Sequence, residues 1–125
     1  MRADSFIFIV DDDEAVRDSL GILLEAHGHC VHDFASAAEF LESGVHTIPG
    51  CLVLDHHMPE MTGLDLLEEL RRLGFCCPTI LITGLIDRAI RQRAVSAGVV
   101  AILEKPLARN VLIEAVNDAL HRAEA

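Results

Sequence analysis

Acids, a hydroxyl and an ammonium stand at the downstream ends of apolar runs in this chain. Phe6–Val10 runs into Asp11, Asp12 and Asp13; Cys51–Leu54 runs into Asp55; Ile80–Ile82 runs into Thr83; and Val99–Leu103 runs into Glu104, Lys105 and Pro106. A carboxylate where a strand leaves a core is costly unless something satisfies its charge. Pro59 and Gly63 punctuate the segment after Asp55, so Asp55 is expected on a strand-to-helix loop, where α/β sheets place ligands. In a doubly wound sheet of order 2-1-3-4-5, Asp11, Asp12 and Asp55 would meet at the switch point between the first and third strands. Three carboxylates in one crevice repel unless a counter-charge is present. A hard divalent cation answers that need, and all-oxygen ligation favours Mg²⁺. Lys105 would add a second positive charge and Thr83 a donor, which together describe a phosphoryl-transfer site. Lys105 is the sole lysine among ten basic residues.

The elements that must position these groups alternate strictly. Strands are expected at Phe6–Val10, Cys30–Phe34, Cys51–Leu54, Thr79–Ile82 and Val99–Leu103. The first helix would start at a cap near Asp13, turn Val16, Leu20, Leu23, Leu24 and His27 to the core, and stop at Gly28. Ser36 with Glu39 forms a capping-box pattern for a short second helix carrying Phe40 and Leu41 inward. Ser43–Gly50 reads as a loop. Thr62 with Asp65 resembles a second capping box, and the third helix would bury Leu64, Leu67, Leu70 and Leu73 before Gly74. The fourth spans about Asp87–Ala97, closed by Gly98. The fifth runs from about Ala108 to Arg122, with Leu112, Ala115, Val116 and Ala119 on one face. Five β-α units imply an α/β fold, a five-stranded parallel sheet with helices on both sides.

A length of 125 residues suits one domain with a real core, and an apolar fraction of 51% argues against disorder. No apolar run is long enough to span a membrane. Met1–Asp4 lacks the apolar region of a signal peptide. The net charge of −10 opposes direct binding to nucleic acid. Cys30, Cys51, Cys76 and Cys77 contain no C-x-x-C pair and read as reduced thiols of a cytoplasmic protein.

Taken together, Ile9-Val-Asp-Asp-Asp-Glu14, Leu52-Val-Leu-Asp-His-His-Met-Pro59, Met61-Thr-Gly-Leu64, Ile80-Leu-Ile-Thr-Gly84 and Leu103-Glu-Lys-Pro106 resemble the receiver domain of bacterial two-component response regulators. Each piece alone is weak, but they cover nearly the whole chain in the family's order. Val16-Arg-Asp-Ser-Leu20, Phe34-Ala-Ser-Ala-Ala-Glu-Phe-Leu41 and Glu104-Lys-Pro106 resemble its FixJ-like branch. The resemblance implies a flavodoxin-like or CheY-like (βα)5 receiver over residues 1–125, with any output domain outside them. It implies that Asp55 accepts a phosphoryl group from a sensor histidine kinase. Mg²⁺ would be held by Asp12, Asp55 and the backbone carbonyl of His57, with Asp11 acting through water. Thr83 and Lys105 would contact the phosphoryl oxygens, and the Lys105–Pro106 bond would be cis. Such a domain takes part in its own phosphorylation and dephosphorylation without being an enzyme in the usual sense. FixJ-like relatives often carry a C-terminal DNA-binding domain, and the resemblance also implies a phosphorylation-dependent homodimer through the fourth helix, fifth strand and fifth helix.

Two positions depart from the family. Ile102 stands where an aromatic ring is usual, and Leu85-Ile86 follow Thr83-Gly84 where small or polar residues are usual. The side chain of His57 would lie free at the mouth of the site, able to influence water near the acyl phosphate. Arg88, Arg91 and Arg93 form a basic patch on the fourth helix, either a solvated face or a partner surface. Zinc binding through His56 and His57, or through His27, His29 and His32, is the weaker reading, since adjacent histidines make poor ligand pairs. Two other functions fit some of the residues. One is a haloacid-dehalogenase-like phosphatase with Asp11 as nucleophile, Asp13 beside it, and Thr83 and Lys105 as its later motifs. The other is a binding module that never becomes phosphorylated.

Overall fold

The computed structural model describes residues 6–44 and 50–124. The expected features at Met1–Asp4 and in most of the Ser43–Gly50 loop fall outside them. Ten elements alternate: β1 (Phe6–Val10), α1 (Glu14–Ala26), β2 (Cys30–Phe34), α2 (Ala37–Ser43), β3 (Cys51–Asp55), α3 (Gly63–Arg72), β4 (Thr79–Thr83), α4 (Arg88–Ser96), β5 (Ala101–Glu104) and α5 (Arg109–Glu124). The strands pair in parallel in the order β2-β1-β3-β4-β5. This is the doubly wound α/β arrangement expected from the sequence.

Period-two alternation along the strands divides the core in two. Phe8, Val10, Leu52, Leu54 and Leu81 face one way and pack with Phe40 of α2, Leu64, Leu67 and Leu70 of α3, and Ala94 of α4. Ile7, Ile9, Cys51, Val53, Ile80 and Ile82 face the other way, against Leu20 and Leu24 of α1 and Leu112, Val116 and Ala119 of α5. Every residue of β3 and β4 is buried, so these two strands form the rigid centre of the sheet. β2 is an edge strand and largely exposed.

The caps form largely where the sequence places them. Asp13 accepts hydrogen bonds from the amides of Ala15 and Val16, and Thr62 and Asp65 make the full reciprocal box on α3. Ser36 accepts from the amide of Glu39, but the Glu39 carboxylate returns to the amide of Ala35, one residue before the cap. Gly28, Gly74 and Gly98 end their helices with positive φ.

Several expectations need correction. β3 extends one residue further, so Asp55 ends the strand instead of standing on the loop; it pairs in register with Ile82. β4 likewise includes Thr83, and β5 begins at Ala101, two residues late. Leu73 is the C-cap of α3 and 51% exposed, because the core stripe ends at Leu70. Leu66, left off that stripe, is fully buried. His27 is exposed; it caps α1, its Nδ1 lying 3.0 Å from the carbonyl oxygen of Leu23. Leu41 is only half-buried.

Gly63 shows how closely α3 is drawn under the end of β3. A Cβ there would lie 2.5 Å from the carbonyl oxygen of Asp55, 2.9 Å from Cα of His56 and 3.0 Å from the carbonyl carbon of Asp55. These are backbone atoms and cannot rotate away. Gly63→Ala should therefore lower the unfolding free energy by about 1–3 kcal/mol. Gly21 makes the contrast: it lies inside α1, and its Cβ would meet only Cγ1 of Val31, at 3.8 Å. Gly21→Ala should be neutral or stabilise by up to about 1 kcal/mol. Urea denaturation of both variants checks the pair; equal effects would contradict the close approach at Gly63.

Candidate functional site

The carboxyl ends of β1, β3, β4 and β5 bring together the groups singled out from the sequence. Asp11 follows β1 directly and is 2% exposed. Its amide donates to the carbonyl of Phe34, and its Oδ1 accepts from the amide of Asp13 at 2.9 Å. Arg17 fixes the same residue from behind: Nη1 donates to the carbonyl of Asp11 at 2.8 Å, and Nε donates to Asp33 Oδ2 at 3.0 Å. Sequence reading gave Arg17 no role. The available signal was its position one helical turn after the Asp13 cap, which points a long cationic side chain back at the strand end.

Asp55 is also 2% exposed. The backbone after it is tied down by His56, whose amide donates to the carbonyl of Ile82 and whose carbonyl accepts from Met58 and Gly63. Oxygen atoms of Asp11, Asp12 and Asp55 lie within 4.8 Å of one another, and Asp12 is the exposed member. Among the described residues this is the one place where three potential metal-binding side chains converge, so neither histidine cluster supplies a zinc site there.

Lys105 closes the crevice. Its Nζ stands 2.9 Å from Oδ1 of Asp55, and its amide donates to the carbonyl of Thr83. The approach to Oδ1 lacks the alignment of a hydrogen bond, leaving that buried oxygen without one among the described residues. At that distance the two still form an ion pair. Burial pulls the Lys105 pKa down, but Asp55, then Asp11 and Asp12, outweigh it and hold the ammonium above its ordinary value. The Lys105–Pro106 bond is cis, as the resemblance implied.

Thr83 is fully buried. Its hydroxyl donates to the carbonyl of Leu85 at 3.1 Å, accepts from the amide of Leu85 at 3.3 Å, and lies 2.9 Å from Nε2 of His57. The His57 side chain is thus not free at the mouth of the site. It is solvent-exposed yet reaches across to the end of β4. His56 turns the opposite way, under α3, where its Nδ1 accepts from the amide of Leu64 at 3.4 Å. Burial, and then the neighbouring His57 and Arg93, lower its pKa.

The basic patch on α4 is smaller than the sequence suggests. Arg93 turns to α3, where Nη2 meets Asp65 Oδ1 at 3.1 Å and Glu68 Oε1 at 2.9 Å. Arg88 and Arg91 remain exposed. Leu85 is 59% exposed while Ile86 is half-buried; Ile102 packs half-buried against the core on the α3 face.

This donor set fits a hard cation. It offers only carboxylate oxygens, and one of them, Oδ1 of Asp55, is buried without an aligned hydrogen bond. The pKa of Asp11 reports the same crowding. Burial raises it most, the hydrogen bond from Asp13 opposes, and the charges of Asp55 and Asp12 raise it further against the pull of Lys105. A raised value means that the ionised form is penalised in the fold. The penalty is absent below the ordinary carboxylate range and grows as pH rises through the raised value. In EDTA, Asp11→Asn should therefore melt at a higher temperature than the parent at pH 7, with the gain fading toward pH 4. Melting curves across that range check it; a gain that persists unchanged at low pH would point to another cause.

Comparison with known proteins agrees with this geometry. Residues 7–117 match the family model of the response regulator receiver domain. The transcriptional regulatory protein FixJ of Azorhizobium caulinodans is 41% identical over 117 residues, covering 94% of this chain and 56% of that protein. The response regulator protein TodT of Pseudomonas putida is 40% identical over 119 residues, covering 95% and 52%. The chain thus spans about half the length of these curated relatives. Among solved structures, FixJ-N superposes with a TM-score of 0.84 at 40% identity, covering 93% of each chain. The response regulator StyR gives 0.88 at 37% identity, covering 94% of this chain and 60% of that one. With its five parallel strands in the order 2-1-3-4-5 and its acids gathered at their carboxyl ends, this chain belongs to the receiver domain family of two-component response regulators.

Proposed function

We propose that this domain accepts a phosphoryl group on Asp55 from a phosphohistidine of a sensor histidine kinase, and that the new charge alters its contacts with a partner. The observation that carries the reading is the placement of Asp55: buried at the end of β3, 2.9 Å from the Lys105 ammonium and gathered with Asp11 and Asp12. A carboxylate oxygen of Asp55 attacks phosphorus, the phosphorus–nitrogen bond to the donor imidazole breaks, and its electron pair stays on that nitrogen. Lys105 faces the charge that accumulates on the transferred group, and Thr83 supplies a hydroxyl from the neighbouring strand. Bound Mg²⁺, held by Asp12 and Asp55 with Asp11 and the His57 carbonyl assisting, would neutralise phosphoryl charge that carboxylates alone would repel. Hydrolysis of the acyl phosphate later restores the resting acid. The domain is changed by the chemistry and acts as its own partner in it; it does not turn over an external substrate.

The phosphatase reading is less well supported. Asp11 Oδ1 already accepts from Asp13, and Asp13 is occupied as the cap of α1. The relatives extend well beyond the matched region, and several are transcriptional regulators by name. Residues 1–125 are therefore read as the receiver unit of a longer regulator, with a DNA-binding output domain outside them. α4, β5 and α5 would be the homodimer or output surface. No described helix is long and apolar enough to cross a membrane.

Acetyl phosphate with Mg²⁺, followed by peptide mass spectrometry, tests the assignment. The adduct should map to Asp55 and disappear in Asp55→Ala. Asp12→Ala should lose Mg²⁺-dependent labelling, by about tenfold to a hundredfold, while keeping the fold. Label on Asp11 would favour the phosphatase, and no label at all would favour the phosphorylation-independent module.

A further inference from the structure

The contact between His57 and Thr83 joins the β3–α3 loop to the end of β4, which nothing in the sequence pattern connects. Thr83 ends β4, and the residues after it turn into α4; His57 belongs to the loop between β3 and α3. A threonine hydroxyl offers one proton and two lone pairs. Here the Leu85 carbonyl takes the proton at 3.1 Å, the Leu85 amide takes one lone pair at 3.3 Å, and His57 Nε2 stands 2.9 Å away at the other. All three bonds are satisfied together when Nε2 carries a proton and donates it. The hydroxyl is then saturated. The imidazole also lies over Gly84, where an added Cβ would sit 3.6 Å from Nε2. The segment it covers has little else to hold it: Gly84 is exposed, Leu85 is 59% exposed and Ile86 is only half-buried, so little apolar burial anchors this turn.

We infer that His57 is a positioning residue: its imidazole latches the Thr83 hydroxyl in the resting orientation and so sets how readily the β4–α4 turn rearranges. Donating the hydroxyl proton to a group on Asp55 breaks the bond to the Leu85 carbonyl, and moving Oγ1 to reach that group breaks the bonds from His57 and the Leu85 amide as well. Each bond that must break belongs to the resting state alone, so each shifts the balance toward rest. This consequence rests on the proposed role of Asp55 as phosphoryl acceptor; the latch itself does not.

The experiment has one measurement for each. In the resting protein without Mg²⁺, the Leu85 amide accounts for the latch: its exchange rate should rise about fivefold in His57→Ala, the factor carried by one net hydrogen bond. His57→Gln, whose amide can still donate, should recover part of the protection. With Mg²⁺ and beryllofluoride as the probe, His57→Ala should bind about fivefold more tightly than the parent, since less resting structure must be given up. In a Thr83→Ala background, His57→Ala should change beryllofluoride binding no further, because the latch has already lost its partner. Unchanged Leu85 exchange, weaker beryllofluoride binding in His57→Ala, or an equal effect of His57→Ala with and without Thr83 would each overturn the latch. If the parent itself binds no beryllofluoride, the phosphoryl-acceptor reading fails, and Leu85 exchange alone then decides the latch.

Discussion

Two buried carboxylates and a third exposed one crowd the carboxyl end of the sheet, and one ammonium faces them. The rest of the domain is arranged to keep that crowding in place. Asp11 and Asp55 cannot move apart, because each is attached to a strand buried on both faces. Side-chain rearrangement cannot relieve them either. Arg17 and Asp13 hold Asp11 from its backbone and its carboxylate, and the tight seat of Gly63 against Asp55 leaves no room for the end of β3 to shift. Lys105 is partly solvated, so its attraction is screened and offsets only part of the repulsion. What remains is a standing electrostatic deficit that a bound cation would remove. A fold without such a site would gain stability by replacing Asp11. Its retention in a buried position makes sense as the cost of a functional site rather than as a source of stability.

Much of this was readable from residue order. Apolar runs ending in Asp11, Asp55, Thr83 and Lys105 locate the crevice, because a parallel sheet brings all its strand ends to one side. Caps at Asp13, Ser36 and Thr62 are local in sequence and were readable for that reason. What escaped notice depends on distant parts of the chain. Whether Asp55 ends a strand or begins a loop is decided by its pairing with Ile82 on β4. Leu66 is buried and Leu73 exposed because the sheet, not the helical period, sets where the covering of α3 begins and ends. His57 looked like a surface histidine because its partner is 26 positions away. Arg93 looked like part of a basic face because its two acidic partners lie on another helix.

The helices are not held equally, and this bears on where a change at the crevice could travel. α3 buries Leu64, Leu66, Leu67 and Leu70, and their apolar area makes any displacement expensive. α4 has only Ala94 fully buried along its length, with Ala97 at its cap and Ile90 half-buried beside it. Its other ties are polar. Arg93 pairs with Asp65 and Glu68 on its exposed side, and Arg71 reaches from α3 to the carbonyls of Ala97 and Gly98 at its C-terminal end. Exposed ion pairs are worth roughly 0–1 kcal/mol each. Alanine contacts give up little area when a helix slides. A shift of α4 therefore costs far less than a shift of α3, although both start from loops that border the same acids. β5, half-buried along three of its four residues, borders β4 on that side and adds little resistance. Strain or new charge at the end of β4 would thus be relieved through α4 and β5, while β1, β3 and α3 stay fixed and keep the acids in register.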